Sequence, residues 1–343
     1  MTALPATDVA APRVLPASLT ETVTLVGLDL SHAGAPRKWQ RDRDAETEQF
    51  IMGRLAGLAS LADRGGVDLI TLDETFRLGG QRRRDAWLDG ALAASRLARH
   101  TTRTALVATV PLGTAGPEHV AGAIASVHRA GAQRAGWQLE AGAAGPGTRA
   151  VDAVRGAGAL RPKRAAGSAR GLRPARPAVV VPVRDGVDAE LAAARGDIAR
   201  LSVSTLEDAR AARTAIRQAA VEWGRGPDDV KVLVDVHAVL SADRASAQAR
   251  WDLLASLDLP ERLPALRTTG TAGDLATLWN AWVRAGAADG FTVVPASVPT
   301  DVAAVAQDLL PALTELGLRT PATAPVTPAA TPARSRPARV RLR

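Results

Sequence analysis

The 343-residue chain has no cysteine and no tyrosine, and only three phenylalanines. Without cysteine it has no disulfide, no thiolate nucleophile and no cysteine metal site, and a cytoplasmic setting is expected. With no tyrosine and only three phenylalanines, the aromatic stacking that holds single-stranded nucleic acid is scarce. Long apolar runs are missing too. The first, Val23 to Leu30, is too short for a bilayer, and no basic segment followed by a long apolar one opens the chain. Neither a membrane span nor a signal peptide is expected. Five histidines with no HExxH or comparable pair give a metal little to bind, so no metal site is expected.

Charge is present in excess of one sign, a formal +8, but its placement matters more than its sum. Arg161, Lys163, Arg164, Arg170, Arg173 and Arg176 share one Pro/Gly/Ala segment, and Arg334, Arg336, Arg339, Arg341 and Arg343 fall in the last ten residues. Runs of this kind are more often solvated loops or tails than binding surfaces. No specific nucleic-acid partner is expected.

A hydrophobic content of 46% over this length is enough for one large α/β domain. Arg103 to Glu140 shows its building unit in a single line. ALVATV is a short β-branched run suited to a strand buried on both faces. Gly113, Gly116 and Pro117 make a turn, Val120, Ile124, Val127 and His128 recur at helical spacing, Gly131 stops the helix, and AGWQLE is the next strand. A connection this long is a right-handed crossover between parallel neighbours.

The alternation extends along the chain. ETVTLVGLDL, VDLITL, ALVATV, AGWQLE, PAVVVPV, DIARLSVS, VKVLVDVHAVL and FTVVP read as strands, with helical stripes between them and a last helix over Val302 to Leu316. Leu257 to Thr271, with two prolines, reads as a connector. Eight such alternations predict an α/β fold of the closed (β/α)8 TIM-barrel type over residues 21–318. Residues 1–20 and 319–343 have the composition of disordered ends, and from 141 to 176 the periodicity fails.

Ligand sites of such barrels lie at the carboxyl ends of the strands. The residues just after the apolar runs are Asp29 and His32, Asp73 and Glu74, Thr109 and Val110, Gln138 and Glu140, Arg184 with Asp185 and Gly186, Asp235 and His237, and Pro295 and Ser297. Each has a plainer reading beside the functional one. Asp73 and Glu74 suit a helix cap, Thr109 a buried strand threonine, and His237 a hydrogen-bonded core residue. His119, in PEHVA, either packs the helix entry or serves an anion or oxygen at the helix amino terminus.

The ordered series GLDLSHAGAPRKW, GVDLITLDETF, ATVPLGTAGPEHVAGAIASVHRAGAQRAGWQLE and AGAADGFTVVP, over most of residues 22–140 and 177–318, resembles the bacterial-luciferase-like flavin-dependent monooxygenases, in their nitrilotriacetate and dibenzothiophene-sulfone monooxygenase branch. The resemblance implies a (β/α)8 barrel that oxygenates a small organic substrate with reduced FMN, supplied by a partner flavin reductase. It implies catalytic roles for His119 and His32. Asp73 and Glu74 would lie near the flavin ring, Thr109 against it, and Gln138 at its pyrimidine edge, able to donate and accept. Arg184, Asp185 and Gly186 stand where the family has a Gly-Ser-Ser type turn for the flavin phosphate. Arg184 offers a charged fork there and Gly186 frees backbone donors, while Asp185 repels phosphate. Residues 141–176 correspond to a family insertion over the barrel mouth, shortened here, and family members often pair through barrel helices as homodimers. Two alternatives stay open: hydride transfer with F420 on the same barrel, and a degenerate barrel acting as a binding or scaffold protein.

Overall fold

The computed structural model describes residues 24–31, 46–72, 90–110, 116–139, 149, 151–152, 176–256 and 264–319. Their strands are β1 (Leu25–Asp29), β2 (Leu69–Leu72), β3 (Ala105–Thr109), β4 (Ala135–Gln138), β5 (Ala178–Val183), β6 (Ile198–Leu201), β7 (Lys231–Leu240), β8 (Leu266–Gly270) and β9 (Gly290–Pro295). All pair in parallel. β1 to β7 follow one another in order, and β9 lies between β7 and β1, so the ring closes. β8 stands outside the ring. The long strand β7 pairs with β6 through Lys231 to Val234 and, farther along the same edge, with β8 through Val236 to Leu240. The connector expected over Leu257 to Thr271 therefore contains a strand. LRTTG carries one only because it extends an existing edge beyond the point where β6 stops.

The helices are α1 (Glu46–Gly65), α2 (Gly90–Leu97), α3 (Pro117–Ala130), α4 (Gly186–Arg195), α5 (Leu206–Glu222), α6 (Arg244–Ala255), α7 (Ala272–Arg284) and α8 (Val298–Ala304), which runs through a π turn at Val305–Leu309 into α9 (Leu310–Glu315). Side chains set their starts. Thr205 Oγ1 accepts from the Asp208 N–H, and Thr271 and Asp274 cap α7 reciprocally. The last helix begins at Val298, ahead of the expected Val302, because Pro299 sits in the first turn, where its missing N–H is not needed.

Alternation along each strand divides the apolar residues into two layers. Leu25, Leu69, Ala105, Val107, Ala178, Val180, Ile198 and Leu233 pack together inside the ring. Their neighbours, among them Val26, Leu28, Ile70, Leu106 and Val179, face outward onto helical residues such as Leu55, Leu97, Ile124 and Trp279. Burying each large side chain of this kind contributes roughly 1.5–3 kcal/mol.

The amino end of the barrel is tied by one repeated device. Asp68, Asp197 and Asp289 each directly precede a strand. Their carboxylates accept the backbone N–H of Val26, Val179 and Val232 on the adjacent strand. Arg319, Arg176, and Arg213 with Arg217 neutralise them in turn. Arg319 is the first residue of the segment expected to be a tail, and it also donates to the carbonyls of Thr24 and Gly66. Asp63 closes a fourth corner by accepting the N–H groups of Thr102, Arg103 and Thr104. Burial alone would raise its pKa, but these bonds outweigh that and hold it below the ordinary carboxylate value.

Candidate functional site

Because the strands are parallel, their carboxyl ends share one rim. The register places Asp29 beside Thr71, Thr109 beside Gln138, and Asp235 beside Thr292. These positions continue the inward alternation above the apolar filling, so the interior turns polar toward the rim.

Arg200, on β6, is the centre of that polar layer. Its Nε donates to Asp235 Oδ1 at 2.9 Å and its Nη2 to Asp235 Oδ2 at 3.0 Å, a two-pronged pair. Nη2 also reaches Asp29 Oδ2 at 3.3 Å, and Nη1 donates to Gln138 Oε1 at 2.7 Å and, more weakly, to Thr71 Oγ1 at 3.5 Å. All three members are enclosed, with side-chain exposures of 6% for Arg200, 13% for Asp29 and 18% for Asp235. Burial would favour loss of the guanidinium proton, but the Asp235 and Asp29 charges outweigh it and raise the Arg200 pKa. Asp235 moves upward also: burial comes first, and repulsion by Asp29 adds to it, against the attraction of Arg200. Arginine keeps its proton and Asp235 takes one up more readily than free aspartate.

Gln138 links this cluster to the rim. Its Oε1 faces Arg200 and its Nε2 donates to Thr109 Oγ1 at 3.2 Å. Both residues are almost wholly enclosed, 6% and 1% exposed. Gly90, the first residue of α2, comes so near that a Cβ there would lie 2.9 Å from the Thr109 carbonyl and 3.0 Å from that of Leu72. Only glycine lets this helix close on the ends of β2 and β3.

His237 follows Asp235 on the same face of β7, buried and edge-on to Trp251 with ring centroids 5.9 Å apart. Burial first, and the Arg267 charge second, lower its pKa to about 4, so it is a neutral imidazole at pH 7.

The other expected residues fall elsewhere. His119 is on the first turn of α3 and exposed, not drawn into the polar layer. Arg184 turns its fork onto Asp188, with Nε and Nη2 at 3.1 and 3.0 Å from Oδ2. Asp185 accepts the Asp188 N–H at 2.9 Å as the cap of α4, which Gly186 begins. His32, Asp73, Glu74 and Glu140 lie outside the described residues. Thr109 and Gln138 are thus brought together, joined through Arg200 to Asp29 and Asp235, whereas His119 is exposed and the Arg184 turn is engaged in local contacts with Asp188. Arg200 is the functional candidate that reading DIARLSVS as an apolar strand passes over. The signal is a lone arginine at an inward position of a strand that is otherwise apolar. Among the described residues no cluster of three acids or histidines suits a metal ion, and no helix is long and apolar enough to cross a membrane.

No family model matches the sequence, and no curated protein matches it. Solved structures do. A riboflavin lyase (RcaE), determined with modified FMN and its substrate riboflavin, is similar with a TM-score of 0.68 and 16% identity, over 88% of this chain and 93% of that one. The EDTA monooxygenase EmoA from Chelativorans sp. BNC1 gives 0.67 and 16%, over 86% and 95%. The coenzyme F420-dependent tetrahydromethanopterin reductase from Methanopyrus kandleri gives 0.59 and 13%, over 85% and 99%. The likeness is one of fold: the chain has the closed (β/α)8 barrel.

Proposed function

We propose that the chain is a flavin-dependent oxidoreductase whose cofactor ring lies across the carboxyl-end mouth of the barrel, against Thr109 and Gln138. One observation carries this reading: two buried, mutually hydrogen-bonded polar side chains end β3 and β4 with donors to spare. An apolar filling would close the ring at less cost, since buried polar groups need partners. A polar layer at the mouth therefore fits a ligand with a polar edge. Likeness to proteins described with FMN and with F420 supports a flat tricyclic ring as that ligand.

In this reading Thr109 and Gln138 hold the polar edge of the ring, and Asp73 and Glu74 approach it from the end of β2. His119 and His32 serve the substrate side as proton carriers. The phosphate of FMN falls at Arg184, Asp185 and Gly186. There the α4 amino end attracts an anion, but Asp185 and Asp188 offset it, so the ring supplies most of the affinity. When bound, the reduced cofactor supplies the electrons for activating dioxygen. The chain's own part is to bind, orient and exclude water.

More finely, the protein is the oxygenase half of a two-component monooxygenase: it takes reduced FMN from a flavin reductase, acts on a small organic substrate and forms a homodimer. F420-dependent hydride transfer is the second reading, favoured by the likeness to the reductase. Thermal shift against reduced FMN, oxidised FMN and F420 separates them, because a ligand that binds only the folded chain raises the melting temperature. Stabilisation by reduced FMN supports the oxygenase, a larger shift with F420 moves the cofactor, and no shift with any of them points to a degenerate barrel.

A further inference from the structure

A guanidinium has five N–H donors and no acceptor. The Gln138 atom 2.7 Å from Arg200 Nη1 is therefore the amide oxygen, so the sense of this amide is fixed by chemistry. Nε2 must then lie on the other side, where one of its hydrogens goes to Thr109 Oγ1. Having accepted that bond, the Thr109 hydroxyl has its own O–H to give. What remains on the amide nitrogen is one N–H donor, beside a Thr109 hydroxyl that can still donate its O–H and accept once more. Arg200 cannot swing away to release the amide, because its other edge is forked on Asp235 and bonded to Asp29.

From this geometry we infer that Arg200 is a positioning residue: it locks Gln138 in one sense, so that the amide turns its Nε2 donor and not its Oε1 away from Arg200 and selects an acceptor on the ligand edge it meets. This rests on the flavin reading and narrows it. Opposite Gln138 Nε2, the carbonyl oxygens and the anionic N1 of a reduced flavin qualify, and the imide N3–H does not. Charge-assisted bonds are roughly twice as strong as neutral ones, so reduced, anionic flavin is preferred over oxidised flavin. In this inference Gln138 accepts from Arg200 and donates toward the ligand, a narrower role than the two-way one that the resemblance implies.

The first test needs no flavin. In full-length 15N-labelled protein the Gln138 side-chain signals are identified by their loss in Gln138→Glu. The two Nε2 protons should exchange with water at different rates. In Arg200→Met combined with Asp29→Asn and Asp235→Asn, shown by its melt to be folded, no donor-only group holds Oε1, the amide is free to turn and the difference should collapse. A difference that persists overturns the inference.

The second test uses FMN. Wild-type protein should bind reduced FMN about tenfold or more tightly than oxidised FMN. Gln138→Glu keeps a partner for Arg200 but puts a carboxylate where the donor was. It should remove that preference and return the carbonyl stretch of bound oxidised FMN toward its value in water. An unchanged preference and an unchanged carbonyl stretch would overturn the donor assignment. Failure of the wild type to bind any flavin would instead overturn the cofactor reading, while the amide measurement still decides the role of Arg200.

Discussion

Arg200 Nη1 donates to Gln138 Oε1 over 2.7 Å, joining β6 to β4 through the interior of the barrel, past the strand between them. The same guanidinium holds Asp235 and Asp29, so one side chain couples acids, amide and rim threonine into a single layer.

Arg200→Met should be strongly destabilising. It leaves two buried carboxylates without their cation, and breaking a buried pair by removing one partner costs about 3–5 kcal/mol. Arg200→Met combined with Asp29→Asn and Asp235→Asn should recover part of that, because no uncompensated charge then remains. Urea unfolding of the two variants checks both statements.

Gly90→Ala tests the support beneath Thr109. The new methyl meets the Thr109 and Leu72 carbonyls at 2.9 and 3.0 Å, both backbone atoms that cannot swing aside. A loss of about 1–3 kcal/mol is expected from overpacking, together with weaker flavin binding. The same substitution at Gly53, where a Cβ meets nothing within 4 Å, should leave binding unchanged.

The pH dependence of stability contains a histidine component with a defined sign. His237 has a folded pKa lowered from 6.5 to about 4, so between those values the unfolded chain binds more protons than the folded one. Its contribution is complete above 6.5 and is lost as the pH falls toward 4. His237→Phe, which keeps an aromatic ring against Trp251, should flatten that part of the stability profile. Asp63 and Asp289, whose pKa values are lowered, lose their contributions only at pH below 3.8. Denaturant midpoints across the range separate the two windows.

Cofactor selectivity at the phosphate end follows from the Arg184 turn. With the Arg184 fork on Asp188 and Asp185 capping α4, a phosphate gains little there. Reduced FMN and reduced riboflavin should therefore bind with similar affinity, and Asp188→Asn, which frees the fork, should favour FMN. Equilibrium titration with both flavins reads the ratio.

The barrel was legible in the sequence because strands such as ALVATV and LITL, buried on both faces, are continuous apolar runs that turn signals separate. Thr109 and Gln138 could be found because they close such runs, where the polar rim must begin. β8 was not legible: LRTTG is polar and follows two prolines, and only an unused length of the β7 edge makes it a strand. Arg200 was hidden for the opposite reason, since Ile198 and Leu201 give its strand an apolar look. A charged side chain there is intelligible only once β1 and β7 bring Asp29 and Asp235 to it. The exposure of His119 depends on the phase of α3 against the barrel, which Val120, Ile124 and Val127 fix by turning inward.

The account stands or falls on a flat ring resting against Thr109 and Gln138. Anaerobic fluorescence titration of reduced FMN into the wild type and into Gln138→Ala measures this directly. Saturable binding by the wild type, weakened about tenfold in a variant that melts as the wild type does, is the predicted result. Equal affinity in the two proteins, or no binding by the wild type, would contradict it.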